Sequence, residues 1–223
     1  MVFNLFSIFD PSTPLFMSMN WLAVPVTVLL VPKPFWLVSP RMKKMVLLTS
    51  SYMMSELTPL SKKNKYTFIT SVSLFMLILL TNILGLLPFF FTSSSHMSFT
   101  TSMALTFWIS LILFMVKNNL NSMMAHLVPS GSPSALIPFM VLIELISNCM
   151  RPLTLAVRLA ANMTAGHLLM VLLSSAMLKA PALYLPFILP FQIFLISLEL
   201  AVALIQAYVF SVLSTLYLSE SSV

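Results

Sequence analysis

Long apolar runs separated by brief polar stretches make up this chain from one end to the other. Residues 68–91 and 98–116 carry no charged side chain. A helix rises 1.5 Å per residue, so about 20 apolar residues cross the ~30 Å hydrocarbon core of a bilayer. Each run therefore predicts a membrane span, the two joined by the polar turn Thr92-Ser93-Ser94-Ser95-His96. Residues 11–32 are also uncharged and predict an earlier span, kinked at Pro25, which membrane helices tolerate when neighbours satisfy the freed carbonyl.

The pattern changes over 41–60. Met42, Met45, Val46, Met53, Leu57 and Leu60 recur at helical spacing, with Lys43, Lys44, Ser50, Ser51 and Ser55 between them. That alternation predicts an amphipathic helix on the membrane surface, its polar face interrupted by Leu47 and Leu48. Lys117-Asn118-Asn119 closes the span at 98–116, and Pro129, Gly131 and Pro133 mark a loop.

Two longer runs follow. Residues 134–178 contain Glu144, Arg151, Arg158 and His167 as their only acidic, basic or imidazole side chains. A helix of that size is roughly 65 Å long, about twice a bilayer core, so it must tilt steeply or break. Pro152 is the only breaker near its middle, and the pattern favours one long, bent helix. Residues 182–218 repeat the situation, with Pro186 and Pro190 near the start and Glu199 as the only charge. The expected fold is all-α and integral to the membrane, a single domain over 1–223. It has about five embedded helices and one surface helix, the last two long helices forming a tilted hairpin.

Composition narrows the class. Apolar residues make up 59% of the 223 and charged residues 7%, where soluble domains carry about a quarter charged. The net charge of +6 rests largely on Lys33, Arg41, Lys43, Lys44, Lys62, Lys63 and Lys65, which form one cluster. No aromatic array accompanies them, so the cluster reads as a loop on the positive-inside face and not as a nucleic-acid surface. No basic leader precedes Lys33, and such an apolar chain is expected to be made in the compartment whose membrane it enters. Cys149 stands alone, which excludes a disulfide framework, and it reads as a small packing residue. Only Gly85, Gly131 and Gly166 are present, so there is no glycine-rich phosphate loop. With no cofactor or metal motif, no local covalent chemistry is expected. Asn162-Met-Thr164 matches a glycosylation sequon by chance inside an apolar helix. His96 reads as solvated in its turn, and His126 as interfacial.

The remaining charges lie where charge is expensive. An ionised side chain at mid-bilayer costs at least ~3 kcal/mol on insertion scales. Arginine cannot escape by losing its proton. Arg158, far from any loop, therefore points to function. For Arg151 a structural and a functional reading both stand. At about 100° per residue, Glu144, Arg151, Arg158 and Asn162 share one stripe while His167 points almost opposite. Gln192, Glu199 and Gln206, spaced by sevens, make a second stripe. Polar stripes can be interhelical hydrogen-bond glue, but glue needs no titratable group. Two separated carboxylates with a fixed cation between them suggest two aqueous half-paths, with the cation blocking direct passage of a hydrated proton. Such a device needs a moving partner that carries its own carboxylate. An independent ion channel or a proton-coupled antiporter subunit is the alternative, although no internal repeat of the antiporter kind is visible. A purely structural subunit leaves Arg158 and the acids unexplained.

At Leu155-Ala-Val-Arg-Leu-Ala-Ala-Asn-Met-Thr-Ala-Gly-His the chain closely resembles the mitochondrial ATP synthase a-subunit family. The likeness continues through Leu198-Glu-Leu-Ala-Val-Ala-Leu-Ile-Gln-Ala-Tyr-Val-Phe. Asn4-Leu-Phe-Ser-Ile-Phe-Asp and Ala125-His-Leu-Val-Pro are similar to animal members. The resemblance implies a proton-conducting stator subunit in the mitochondrial inner membrane, working against a ring of c subunits beside other membrane-sector and peripheral-stalk subunits. It implies that Arg158 faces the ring, with Asn162 as its polar neighbour and Gln206 opposite on the last helix. His167 and Glu199 would line the path from the intermembrane space, where the N-terminus would also lie, and Glu144 the path to the matrix. Some relatives carry a further acid near the C-terminus. Here only Glu220 is available for that place.

Overall fold

The computed structural model describes residues 5–12, 18–31, 40–59, 65–87, 90–118, 124, 127–128, 136–179 and 181–221. Among them every regular element is a helix: α1 (Ala23–Leu29), α2 (Arg41–Leu57), α3 (Lys65–Leu86), α4 (Met97–Asn118), α5 (Ile137–Lys179) and α6 (Leu185–Ser221). Short 3-10 turns occupy Leu5–Phe9, Met19–Leu22, Ser93–Ser95 and Ala182–Tyr184. Four helices, α3 to α6, are long and apolar enough to cross a membrane.

The start of the chain is described in part. Of the region expected as a span over 11–32, Met19–Leu29 is helical, and 13–17 and 32 lie outside the described residues. Pro25 lies in the first turn of α1, where its missing N–H costs no helical bond, so it starts the helix and does not kink it.

Both long C-terminal helices are continuous. α5 runs unbroken for 43 residues through Pro152, and α6 for 37 through Pro190. A proline inside a helix removes one bond to the fourth preceding carbonyl, and here the remaining turns carry the helix across. α3 packs along α6, α4 packs along α5, and α5 and α6 lie against each other. Each of the long pair carries two buried alanines four apart, Ala156 and Ala160 on α5 and Ala203 and Ala207 on α6. Small residues at that spacing let membrane helices approach closely.

The core joins Leu155 and Leu159 of α5, Ala207 and Phe210 of α6, Phe75 and Ile78 of α3, and Met53 and Leu57 of α2. The amphipathic face expected on α2 is thus divided: Met53 and Leu57 seat on α3, while Met42 and Met45 stay exposed. Three buried hydroxyls on the long helices are satisfied within their own helices. Ser211 donates to Tyr208 O at 2.8 Å, Ser214 to Ser211 O at 2.7 Å and Thr81 to Ile78 O at 2.9 Å. Leu178, Leu183 and Phe187 are among many large apolar side chains facing outward, as lipid as solvent requires. Cys149 is exposed as well, so it faces outward from α5 where packing had been expected.

Candidate proton-handling site

The last two helices bring His167 and Glu199 together. His167 Nε2 lies 3.8 Å from Glu199 Oε1, with side chains 14% and 6% exposed. That distance permits an ion pair but exceeds a direct hydrogen bond. Both Glu199 oxygens and His167 Nε2 are buried with no hydrogen-bond partner among the described residues. Buried polar atoms without protein partners carry a desolvation cost that water can relieve. Gly166, beside His167, makes room for the carboxyl: a Cβ there would lie 2.7 Å from Glu199 Oε1.

Farther along α6, Gln206 accepts a 3.1 Å hydrogen bond at Oε1 from Asn162 Nδ2 of α5, while its own Nε2 is buried and unpartnered. Between the two pairs Asn82 of α3 donates from Nδ2 to Ala203 O at 3.4 Å, leaving its buried Oδ1 without a partner. Glu199, Ala203 and Gln206 are each one turn apart, so these contacts form a column along one face of α6.

The expected turn at 92–95 is formed, and it lies inside the protein. Thr92, Ser93, Ser94 and Ser95 are all buried, and Ser94 Oγ has no partner. The turn packs against α5. His96 is half-buried and not solvated, sitting 5.3 Å from the Trp21 ring and 5.1 Å from Phe91. Its Nε2 lies 2.7 Å from Phe9 O, and because a carbonyl only accepts, Nε2 must carry the proton. Phe9 in turn meets His167 edge to face, ring centroids 6.4 Å apart. The next residue, Asp10, has its carboxyl held below the usual range by the Ser12 N–H, which donates at 3.0 Å. The N-terminal turn thus closes over the His167 end of the column.

Arg158 is the central residue of α5 and is exposed on the outside of the chain. No described residue forms an ion pair or hydrogen bond with its side chain. Asn162, one turn on, shares that outer face. Two turns before Arg158, Arg151 Nη2 stands 4.0 Å from Glu144 Oε1. The Arg151 guanidinium also lies 5.0 Å over the Tyr217 ring, which meets Trp108 at 5.2 Å. The stripe expected from helical phase therefore runs along the edge of the buried Leu155, Ala156, Leu159, Ala160 and Met163, with Glu144 and Arg151 half-buried and Arg158 and Asn162 exposed.

The structure joins His167 to Glu199, Asn162 to Gln206, and Glu144 to Arg151. Arg158 it joins to no other described residue. Asn82 and Ser94 had not been singled out, although an asparagine within Leu79-Leu80-Thr81-Asn82-Ile83-Leu84 was a visible signal. His126 lies outside the described residues, and Glu220 falls in the last turn of α6.

Residues 17–219 match the family described as ATP synthase A chain. ATP synthase subunit a of Locusta migratoria is 49% identical over 223 residues, covering 99% of each chain. The protein of the same name from Drosophila melanogaster is also 49% identical with the same coverage, and that of Anopheles quadrimaculatus is 48% identical over 225 residues, again covering 99% of each chain. The chain belongs to the ATP synthase A chain family. Membership makes it a multi-pass subunit of the synthase membrane sector, working in proton transport tied to ATP synthesis. As such a membrane-sector subunit it is not catalytic by itself.

Proposed function

We propose that the chain is the stationary proton conductor of a rotary ATP synthase in the mitochondrial inner membrane, passing protons through two aqueous half-channels to and from a ring of c subunits. The observation that carries this reading is Arg158, a permanent cation at the centre of a membrane-length helix, turned outward and unpaired among the described residues. Lipid is a costly surrounding for it, and a carboxylate on a neighbouring protein is a favourable one.

His167 and Glu199 receive protons from the intermembrane space, the side on which the N-terminal turn packs. The unpartnered polar atoms of Asn82, Ser94 and Gln206 favour water along this inlet. Protons load onto a ring carboxylate, which becomes neutral and can travel through lipid. On returning, that carboxyl meets the field of Arg158 and gives up its proton toward Glu144 and the matrix. Arg158 stands about 13 Å along α5 from His167 and about 21 Å from Glu144, so it separates the two paths. Asn162 and Gln206, bonded to each other, line its approach. About 2.3 kcal/mol per charge per 100 mV is available to drive the cycle. Other membrane-sector and peripheral-stalk subunits hold this one still, and nucleotide chemistry takes place on different subunits.

Replacing Arg158 with Ala in the assembled complex tests the reading. Gradient-driven ATP synthesis should vanish while the complex still assembles. Undiminished synthesis in that variant refutes the proposal.

A further inference from the structure

We infer that Arg151 is a positioning residue for the outlet: it holds Glu144 in place and ties that carboxylate to α6 and α4. The inference rests on the proposed reading of Glu144 as the outlet acid.

The geometry begins with chain direction. Glu144 and Arg151 are two helical turns apart, about 10 Å along the axis. Side chains on a helix slant toward its N-terminus, so a long side chain at the later position can reach back to the earlier one. Arg151 does so, bringing Nη2 to 4.0 Å from Glu144 Oε1. With exposures of 27% and 41%, this ion pair is too solvent-accessible to add much to stability. Its value lies in placement.

Aromatic contacts steer the guanidinium. It lies 5.0 Å over the ring of Tyr217, in the last part of α6. Tyr217 stands edge-on to Trp108 of α4 at 5.2 Å and 86°. A planar guanidinium can stack on a ring and still offer N–H groups to a carboxylate, which an ammonium does less well. One side chain therefore links three helices at the end of the bundle where α5 begins and α6 finishes.

The backbone gives this link a second task. Pro152 follows directly and cannot donate to the carbonyl of Asn148, so the α5 ladder lacks a bond between Glu144 and Arg158. Arg151 crosses that weakened stretch and splints it. Being permanently charged, it cannot relay protons itself.

The test uses the assembled synthase in inverted inner-membrane vesicles, with ATP-driven proton pumping measured per assembled complex. Arg151→Gln should slow pumping on the order of tenfold, the scale of loss expected from misplacing a group in a transfer path. Arg151→Lys, which keeps the charge but stacks and reaches less well, should recover only part of that loss. On a Glu144→Gln background, Arg151→Gln should cost nothing further. A slow Glu144→Gln enzyme that loses the same factor again on adding Arg151→Gln overturns the positioning role alone. Full-speed pumping by Glu144→Gln overturns the outlet reading and this inference with it. If Arg151→Gln fails to assemble, Tyr217→Leu carries the test. It keeps both charges and removes the steering ring, and a loss of about threefold that vanishes on the Glu144→Gln background is expected. Normal pumping by Tyr217→Leu, or a loss that persists on that background, overturns the inference.

Discussion

Gly166 of α5 and the Glu199 carboxyl of α6 occupy adjoining space with no room for a methyl between them. A Cβ on Gly166 would lie 2.7 Å from Oε1, 2.9 Å from the carboxyl carbon and 3.1 Å from Cγ. Alanine is favoured over glycine in a helix interior by roughly 0.5–1 kcal/mol. The clash meets the end of a flexible side chain, which can swing away. Gly166→Ala should therefore assemble normally and melt no lower, yet transport protons slowly because Glu199 is pushed from its place beside His167. ATP synthesis per assembled complex measures this, and an unchanged rate would show that the position of the carboxyl is not critical.

Glu199→Gln keeps the shape and removes the titratable group. Buried Glu199 stands 3.8 Å from His167, so the amide should fit with little change in stability. Proton-driven turnover should fall by a factor of about 100 or more, the usual scale for a lost proton-transfer group. Proton flux into reconstituted vesicles would reveal it, and a wild-type flux would remove Glu199 from the path.

Asn82 allows stability and transport to be separated. Its only described bond is the 3.4 Å contact to Ala203 O, and its Oδ1 is buried without a partner. Replacing an unsatisfied polar group by an apolar one of similar shape is nearly neutral or stabilising. Asn82→Leu should thus raise or preserve the melting temperature of the complex while slowing proton uptake several-fold. Thermal unfolding and ATP synthesis assayed on one preparation distinguish this outcome from simple disruption, in which both would fall.

The N-terminal turn should hold across mildly acidic and neutral pH. His96 donates from Nε2 to Phe9 O. Asp10 has a carboxyl that loses its proton more readily than usual through the Ser12 N–H. A lowered value means that the bond is present above the ordinary carboxylate range and is lost only as pH falls through the lowered value. Hydrogen exchange corrected for intrinsic rates should show equal protection of Leu5–Phe9 from about pH 5 to 8. Loosening with acid in that interval would contradict this reading. His96→Leu should loosen the turn at every pH.

Much of the architecture could be read from residue order alone. The runs that became α3 to α6 were legible because a lipid-facing helix needs no polar face, and continuity of apolar residues marks it. Arg158 stood out in the sequence because its cost in a bilayer has no bland explanation. Helical phase also separated His167 from the Arg158 stripe, but its meeting with Glu199 depends on how two distant helices pack, which periodicity does not encode. The surroundings of His96 were misread because short polar residues in a turn look the same whether water or protein surrounds them. Here Ser95 bonds to Thr92 O at 2.7 Å and to the Thr92 hydroxyl at 2.9 Å, which lets the turn sit inside. Cys149 was misjudged for the opposite reason: in a membrane protein an apolar side chain loses nothing by facing out.

The uninterrupted length of α5 has a geometrical consequence. A straight rod of 43 residues, about 65 Å long, fits a 30 Å slab only if it runs on the order of 50 Å sideways as it crosses. Its two ends therefore open to opposite waters at different places around the circumference of any cylinder it leans against. On the proposed mechanism, an ion that descends on one side of Arg158 and leaves on the other must be carried around that circumference. On that mechanism a slanting helix of this kind would work as an inclined plane, turning a vertical voltage into a tangential push whose handedness is set by the direction of the slope.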